Sequence, residues 1–78
     1  MVKTFIDRLA IARENDGAVY TTRKILALFG YSKTTYINDT ILRSAGIIRD
    51  VGTMRDSETG KVSGAWQILV PINFKSGR

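Results

Sequence analysis

The sequence predicts a small α+β domain of three short helices and a two- or three-stranded antiparallel sheet. Apolar residues recur at helical spacing in the first half of the chain, and glycine-containing stop signals end the helical stretches. After Gly46 the apolar period changes to two, as in strands. With 78 residues the chain is long enough for one domain, which we place at 1–78. We expect its core in about 4–72 and a frayed basic tail at 73–78.

The first helix has a start and a stop signal. Residues 4–14 carry apolar residues at helical spacing, and Thr4 with Asp7 resembles a capping box. The following Asn-Asp-Gly sequence at 15–17 predicts the end of the helix, because glycine accepts the left-handed conformation of a C-terminal cap.

A β-prone segment and a second helix come next. Residues 18–20 are short and bounded by turn residues, so they predict a one-bridge strand. Thr21 or Thr22 then caps a second helix that we expect to run to Phe29 and to end at Gly30.

A third helix is expected from about Lys33 to Ala45, with Ser32 as its N-cap. On a helical wheel its buried stripe is narrow and centres on Ile37 and Ile41, while the opposite arc is polar. Counting the usual apolar positions of such a helix from Gly30 gives a different register for this helix. The register of the third helix therefore stays open to within one residue.

The last third of the chain predicts a β hairpin. Strands are expected at 47–54 and 65–72, with a turn around Glu58-Thr59-Gly60-Lys61 in which the glycine takes a positive φ. One apolar cluster from all these elements forms the expected core: Phe5, Leu9, Ile25, Phe29, Ile37, Ile41, Ile48 and Trp66.

Composition narrows the classes of function. The net charge is +5, and from Gly17 to Arg49 there are five basic residues and one acidic residue. Such a small basic domain favours an anionic partner, with nucleic acid ahead of an anionic membrane surface. The chain has no cysteine and no histidine, which excludes disulfides, thiol catalysis and zinc held by those ligands. Because its seven acidic residues are scattered, we expect no enzyme, no metal site and no cofactor.

The location predicted from the sequence is cytoplasmic. No apolar run approaches the ~18 residues of a membrane-spanning helix. The first residues lack the apolar centre and the cleavage site of a signal peptide. We therefore expect no membrane partner.

Two runs of residues carry a resemblance to a known family. Residues 29–35 are an aromatic residue, Gly, Tyr and then Ser-Lys-Thr-Thr, and residues 45–49 are Ala-Gly-Ile-Ile-Arg. Together with the order of predicted elements, they resemble the winged helix-turn-helix superfamily over roughly residues 4–72, without indicating a particular member. The resemblance implies a β wing, double-stranded DNA as partner, and insertion of helix 33–45 into the major groove by a small transcriptional regulator. The small size suggests an origin in a phage, a virus or a plasmid.

The resemblance also implies candidate DNA-binding residues in the second helix, the third helix and the wing. They are Arg23, Lys24, Ser32, Lys33, Thr35, Tyr36, Arg43, Arg55 and Lys61. Lys33 and Thr35 would reach base edges or phosphates, Arg23 or Lys24 a phosphate, and Arg55 and Lys61 phosphates or the minor groove.

Each candidate also has a purely structural interpretation. The first-turn residues of the third helix could cap and solubilise it, Tyr36 could pack on the second helix or the wing, and the basic residues could simply be solvated. Asp39 on the polar arc can accept from a cytosine but repels phosphate. The alternative function is a protein-interaction module on the same scaffold without sequence-specific DNA binding. Oligomeric state stays open, although a two-fold operator would require a homodimer.

Overall fold

The computed structural model describes residues 4–71. Within them the chain forms three α-helices, a 3₁₀ turn and a three-stranded antiparallel sheet with the strand order β1-β3-β2. The elements are α1 (Phe5–Glu14), β1 (Val19–Thr21), α2 (Thr22–Leu28), the 3₁₀ turn (Ile37–Asp39), α3 (Ile41–Ser44), β2 (Ile48–Arg55) and β3 (Val62–Ile68). The α+β prediction is confirmed, whereas the predicted tail at 73–78 lies outside the described residues.

Local signals place the first two helices as expected. Thr4 Oγ1 accepts from the Asp7 backbone N–H over 3.1 Å, and the Asp7 carboxylate accepts from the Thr4 N–H over 3.0 Å, which completes the capping box. Thr21 Oγ1 caps α2 by accepting from the Lys24 N–H over 3.3 Å. Gly30 follows α2 with a φ of +81°, a conformation that a residue with a Cβ rarely adopts.

The predicted continuous helix from Lys33 to Ala45 is wrong. A turn, the 3₁₀ turn and the four-residue helix α3 stand in its place. Thr40 interrupts the segment in an extended conformation with ψ 157°, and its buried hydroxyl donates to the Ile37 carbonyl over 2.7 Å. Side chains of Thr, Asn and Asp offer the backbone such local hydrogen bonds, and this competes with helix formation.

The interruption changes which apolar side chains enter the core. Ile41 was expected to be buried, but 40% of it is exposed, and its neighbour Leu42 is fully buried. A helical wheel assumes one uninterrupted helix, so the extended Thr40 shifts the phase of every later residue. Ile37, which lies before the break, is buried as predicted.

The core lies between the helices and one face of the sheet. Leu9, Ile25, Phe29, Ile48 and Trp66 are buried as expected, and Phe5 packs on the cluster while partly exposed. The cluster is completed by apolar residues outside the predicted set: Ala12, Leu26, Leu42, Ile47, Ile68 and Val70.

The β2–β3 hairpin extends beyond this core. Every residue of β2 after Ile48 is exposed, and a bulge lies between Asp50 and Gly52. The strands pair as far as Arg55 and Val62, so the connecting loop is shorter than the sequence predicts. Gly60 has a φ of +74°, which confirms the predicted positive φ in the turn.

Candidate nucleic acid interface

An open groove runs between α2 and the segment at 33–37, and we call it the α2 groove. It has a volume of about 630 Å³. The buried side chains of Leu26 and Ile37 form its apolar floor, and Arg23, Lys33 and Tyr36 stand among its exposed lining. The remaining lining residues carry hydroxyl groups: Thr22, Thr34, Thr35 and Ser63.

A tight turn after α2 presents the outer wall of this groove. Ser32 Oγ accepts from the Thr34 N–H over 3.2 Å, and the Ser32 carbonyl accepts from the Thr35 N–H over 2.9 Å. Ser32 therefore organises a turn and does not cap the predicted helix. The turn leaves Lys33 exposed and ends at Tyr36, whose side chain is 74% exposed.

A second depression, of about 230 Å³, lies between the start of α2 and the hairpin loop. Arg23, Lys24 and Arg55 contribute its cationic side chains. Arg23 also lines the α2 groove, so the two depressions share this residue. The Arg23 guanidinium lies 3.8 Å from the Glu58 carboxylate, which links α2 to the hairpin loop.

The two acidic residues of the hairpin loop are placed differently. Asp56 is only 8% exposed, and its Oδ1 accepts from the backbone N–H groups of Glu58 and Thr59 over 2.8 and 3.3 Å. Its carboxylate therefore holds the loop in shape. Glu58 is exposed and faces Arg23, while Arg55 donates to the Gly60 carbonyl across the loop.

Three predicted site residues line neither depression: Ser32, Arg43 and Lys61. The Arg43 guanidinium lies 5.8 Å from the centre of the Trp66 ring, and this residue lines neither depression. Lys61, on the far side of the hairpin loop, lines neither of them. The lining of the two depressions therefore contains Arg23, Lys24, Lys33, Thr35, Tyr36 and Arg55, whereas Ser32, Arg43 and Lys61 lie outside it.

Sequence reasoning missed the apolar floor and the ion pair. Nothing in the sequence signals that the side chain of Leu26, an apolar residue of α2, ends beneath a groove. The sequence does not signal the ion pair of Glu58 either, because its proximity to Arg23 depends on how the hairpin folds back towards α2.

Two other features are absent from the described part of the chain. No group of three His, Cys, Asp or Glu side chains within residues 4–71 is arranged to hold a metal ion. No helix in that range is long and apolar enough to cross a membrane. Comparisons with protein-family models, with curated proteins and with solved structures give no match to this chain.

Proposed function

We propose that this chain is a winged helix-turn-helix protein that binds double-stranded DNA and acts as a small transcriptional regulator. One observation carries the proposal: cationic side chains from three separate segments line two depressions that share Arg23. Arg23 and Lys24 come from α2, Lys33 from the turn that follows it, and Arg55 from the hairpin. The carboxylates in the same lining are Asp56, committed to the loop, and Glu58.

The order of elements supports the same proposal. Helix α2 leads through the turn at 32–36 and the 3₁₀ turn into α3, and the antiparallel β2–β3 hairpin follows α3. In this arrangement the hairpin is the wing. Because phosphate contacts supply most of the affinity for DNA, converging cations on such a scaffold favour a duplex as partner.

The broken third helix changes the proposed docking. The turn at 32–36 takes the place of the first helical turn at the major groove, with Lys33, Thr35 and Tyr36 towards the duplex. The start of α2 then follows one phosphate strand, and Arg55 of the wing reaches an adjacent phosphate or the minor groove. Regulation follows by occlusion of a promoter or an operator.

A pair of variants that each remove one positive charge tests this surface. Lys33→Gln removes an exposed charge from the lining of the α2 groove, whereas Arg49→Gln removes an exposed charge from a strand position that pairs with Gln67. The two variants have the same net charge. Fluorescence anisotropy with a labelled duplex should show weakening of roughly 3- to 10-fold for Lys33→Gln and less than about 2-fold for Arg49→Gln. Equal effects would mean that only net charge matters, and the proposed surface would be wrong.

A second candidate is a protein-interaction module on the same scaffold. The exposed apolar side chains Ile6 on α1 and Val62 on the hairpin favour it, with 73% and 64% of their surfaces accessible. A folded protein that binds no duplex at low salt would support this second candidate over the first.

A further inference from the structure

The α2 groove has a property that phosphate binding alone does not require. Its floor consists of Leu26 and Ile37, which are 5% and 6% exposed, so the base of the groove is apolar. Its volume of about 630 Å³ falls within the ~300–1,000 Å³ typical of sites that enclose a small organic group. Phosphates prefer the cationic rim, which leaves the floor for a group with an apolar face.

The residues around the rim of the groove indicate which other chemical features the bound group has. Tyr36 offers an exposed aromatic ring beside the groove. Lys33 has no ion pair within residues 4–71, and its ammonium group is available to an anion. The hydroxyl of Thr35 makes no hydrogen bond in the same range and can meet a polar edge. An aromatic ring, a free cation and a hydroxyl around an apolar floor fit a flat heterocycle attached to a phosphate.

We infer that the α2 groove receives one unpaired nucleotide of a nucleic acid, with its base stacked on Tyr36 and its phosphate on Lys33. This inference rests on the proposed function and adds a substrate class to it. Stacking on aromatic side chains is tolerant of base identity, since every base has a π face. Taking a base out of an intact duplex costs stacking and pairing energy, so the groove favours DNA in which one base is already unpaired. An acidic peptide with an aromatic side chain is the competing occupant.

Three short duplexes that differ at one position test the inference. One is fully paired, one carries a single bulged nucleotide, and one carries at the bulge an abasic sugar-phosphate unit. Anisotropy titrations at one fixed salt concentration should give roughly 5- to 50-fold tighter binding of the bulged duplex than of the paired one. The abasic duplex keeps the phosphate and lacks the base, so it should bind like the paired duplex.

Two substitutions of Tyr36 assign the effect to the aromatic ring. Tyr36→Phe keeps the ring and should retain the preference for the bulged duplex. Tyr36→Leu keeps an apolar side chain without a π face and should lose most of that preference, measured as the ratio of the affinities of the same variant for the bulged and the paired duplex. Because Tyr36 is largely exposed, both variants should melt at the wild-type temperature.

The outcomes separate this inference from the proposed function. Equal binding of all three duplexes would overturn the unpaired-nucleotide site and leave duplex binding intact. Persistence of the preference in Tyr36→Leu would also overturn it. Failure to bind any of the three would contradict both proposals. Displacement of the bulged duplex by an unlabelled single-stranded oligonucleotide would support the site. Displacement of the bulged duplex by an acidic peptide at the same concentration would overturn its assignment to a nucleotide.

Discussion

The indole Nε1 of Trp66 donates a hydrogen bond to Oγ1 of Thr22 over 2.8 Å. It joins the central strand of the sheet to the first residue of α2, across 44 positions of the chain. The same hydroxyl lies 3.4 Å from the Gly64 carbonyl, to which it donates. The start of α2, which carries Arg23 and Lys24, is therefore fixed on the sheet by a side chain that the core already holds.

Replacing Thr22 by valine should destabilise the domain. The variant keeps the shape of the side chain but leaves the largely buried indole N–H of Trp66 without its acceptor, which costs about 1–3 kcal/mol. Thr22→Ser keeps the acceptor and is the matched control. Urea denaturation gives the free energy of unfolding for both variants, and equal values would show that the hydrogen bond contributes nothing.

The break at Thr40 can be tested at the two residues that follow it. Leu42→Ala should lower the free energy of unfolding by about 2–5 kcal/mol, because it removes a fully buried side chain and leaves a cavity. Ile41→Ala changes a side chain that is 40% exposed and should cost at most about 1 kcal/mol. Thermal and urea denaturation of both variants shows which of the two side chains is buried and therefore which register of the third helix is correct. A larger loss at Ile41 would restore the uninterrupted helix that the sequence predicts.

The ion pair between Arg23 and Glu58 should restrain DNA binding. The Glu58 carboxylate lies 3.8 Å from the Arg23 guanidinium and would compete with a DNA phosphate for it. Glu58→Gln should therefore tighten binding to every duplex by roughly 2- to 5-fold, while the free energy of unfolding changes by less than about 1 kcal/mol, since the pair is exposed. Glu14→Gln, at the end of α1, makes the same change in net charge. Equal tightening by the control would remove any special contribution of the ion pair.

Two substitutions of Asp56 separate the effect of the loop's conformation on DNA binding from the effect of its charge. Asp56→Ala and Asp56→Asn both remove one negative charge beside the proposed interface, but only Asn keeps an oxygen for the Glu58 and Thr59 N–H groups. We expect Asp56→Ala to lose about 1–2 kcal/mol of stability relative to Asp56→Asn. It should also bind duplex more weakly, since Arg55 is held by the same loop. If the two variants bound equally, the loop geometry would be irrelevant to binding.

The parts of the fold that depend on neighbouring residues could be predicted from the sequence. The capping box of Thr4 and Asp7, the stop at Gly30 and the positive φ of Gly60 each involve a few adjacent residues. The apolar period of two, which predicts strands in the last third of the chain, also depends only on adjacent residues. The prediction of the third helix is wrong because two conformations compete at Thr40. In one, the Thr40 hydroxyl donates to the Ile37 carbonyl, and in the other the helix continues; a helical wheel does not include the energy of that side-chain hydrogen bond.

The candidate site was less accessible to sequence reasoning. Lys33 and Lys61 are both exposed lysines in polar segments, yet only Lys33 lines the α2 groove. The distinction arises from the packing of the 33–37 segment against α2 and from the direction of the hairpin. Arg43 similarly looked suited to a phosphate, but its distance of 5.8 Å from the Trp66 ring follows from the position of α3 against the sheet. The position of a side chain in the tertiary structure leaves no periodic pattern in the sequence.

The salt dependence of duplex binding tests the central claim most directly. The wild-type protein has a net charge of +5 and cationic side chains from three segments in the lining of the two depressions. Its binding should therefore release counterions that are condensed on the DNA. A log–log plot of the association constant against salt concentration should be linear with a slope of roughly −4 to −8, corresponding to about five to eight neutralised phosphates. A flat plot, or the absence of binding to any duplex at low salt, would contradict the proposal that this domain binds DNA.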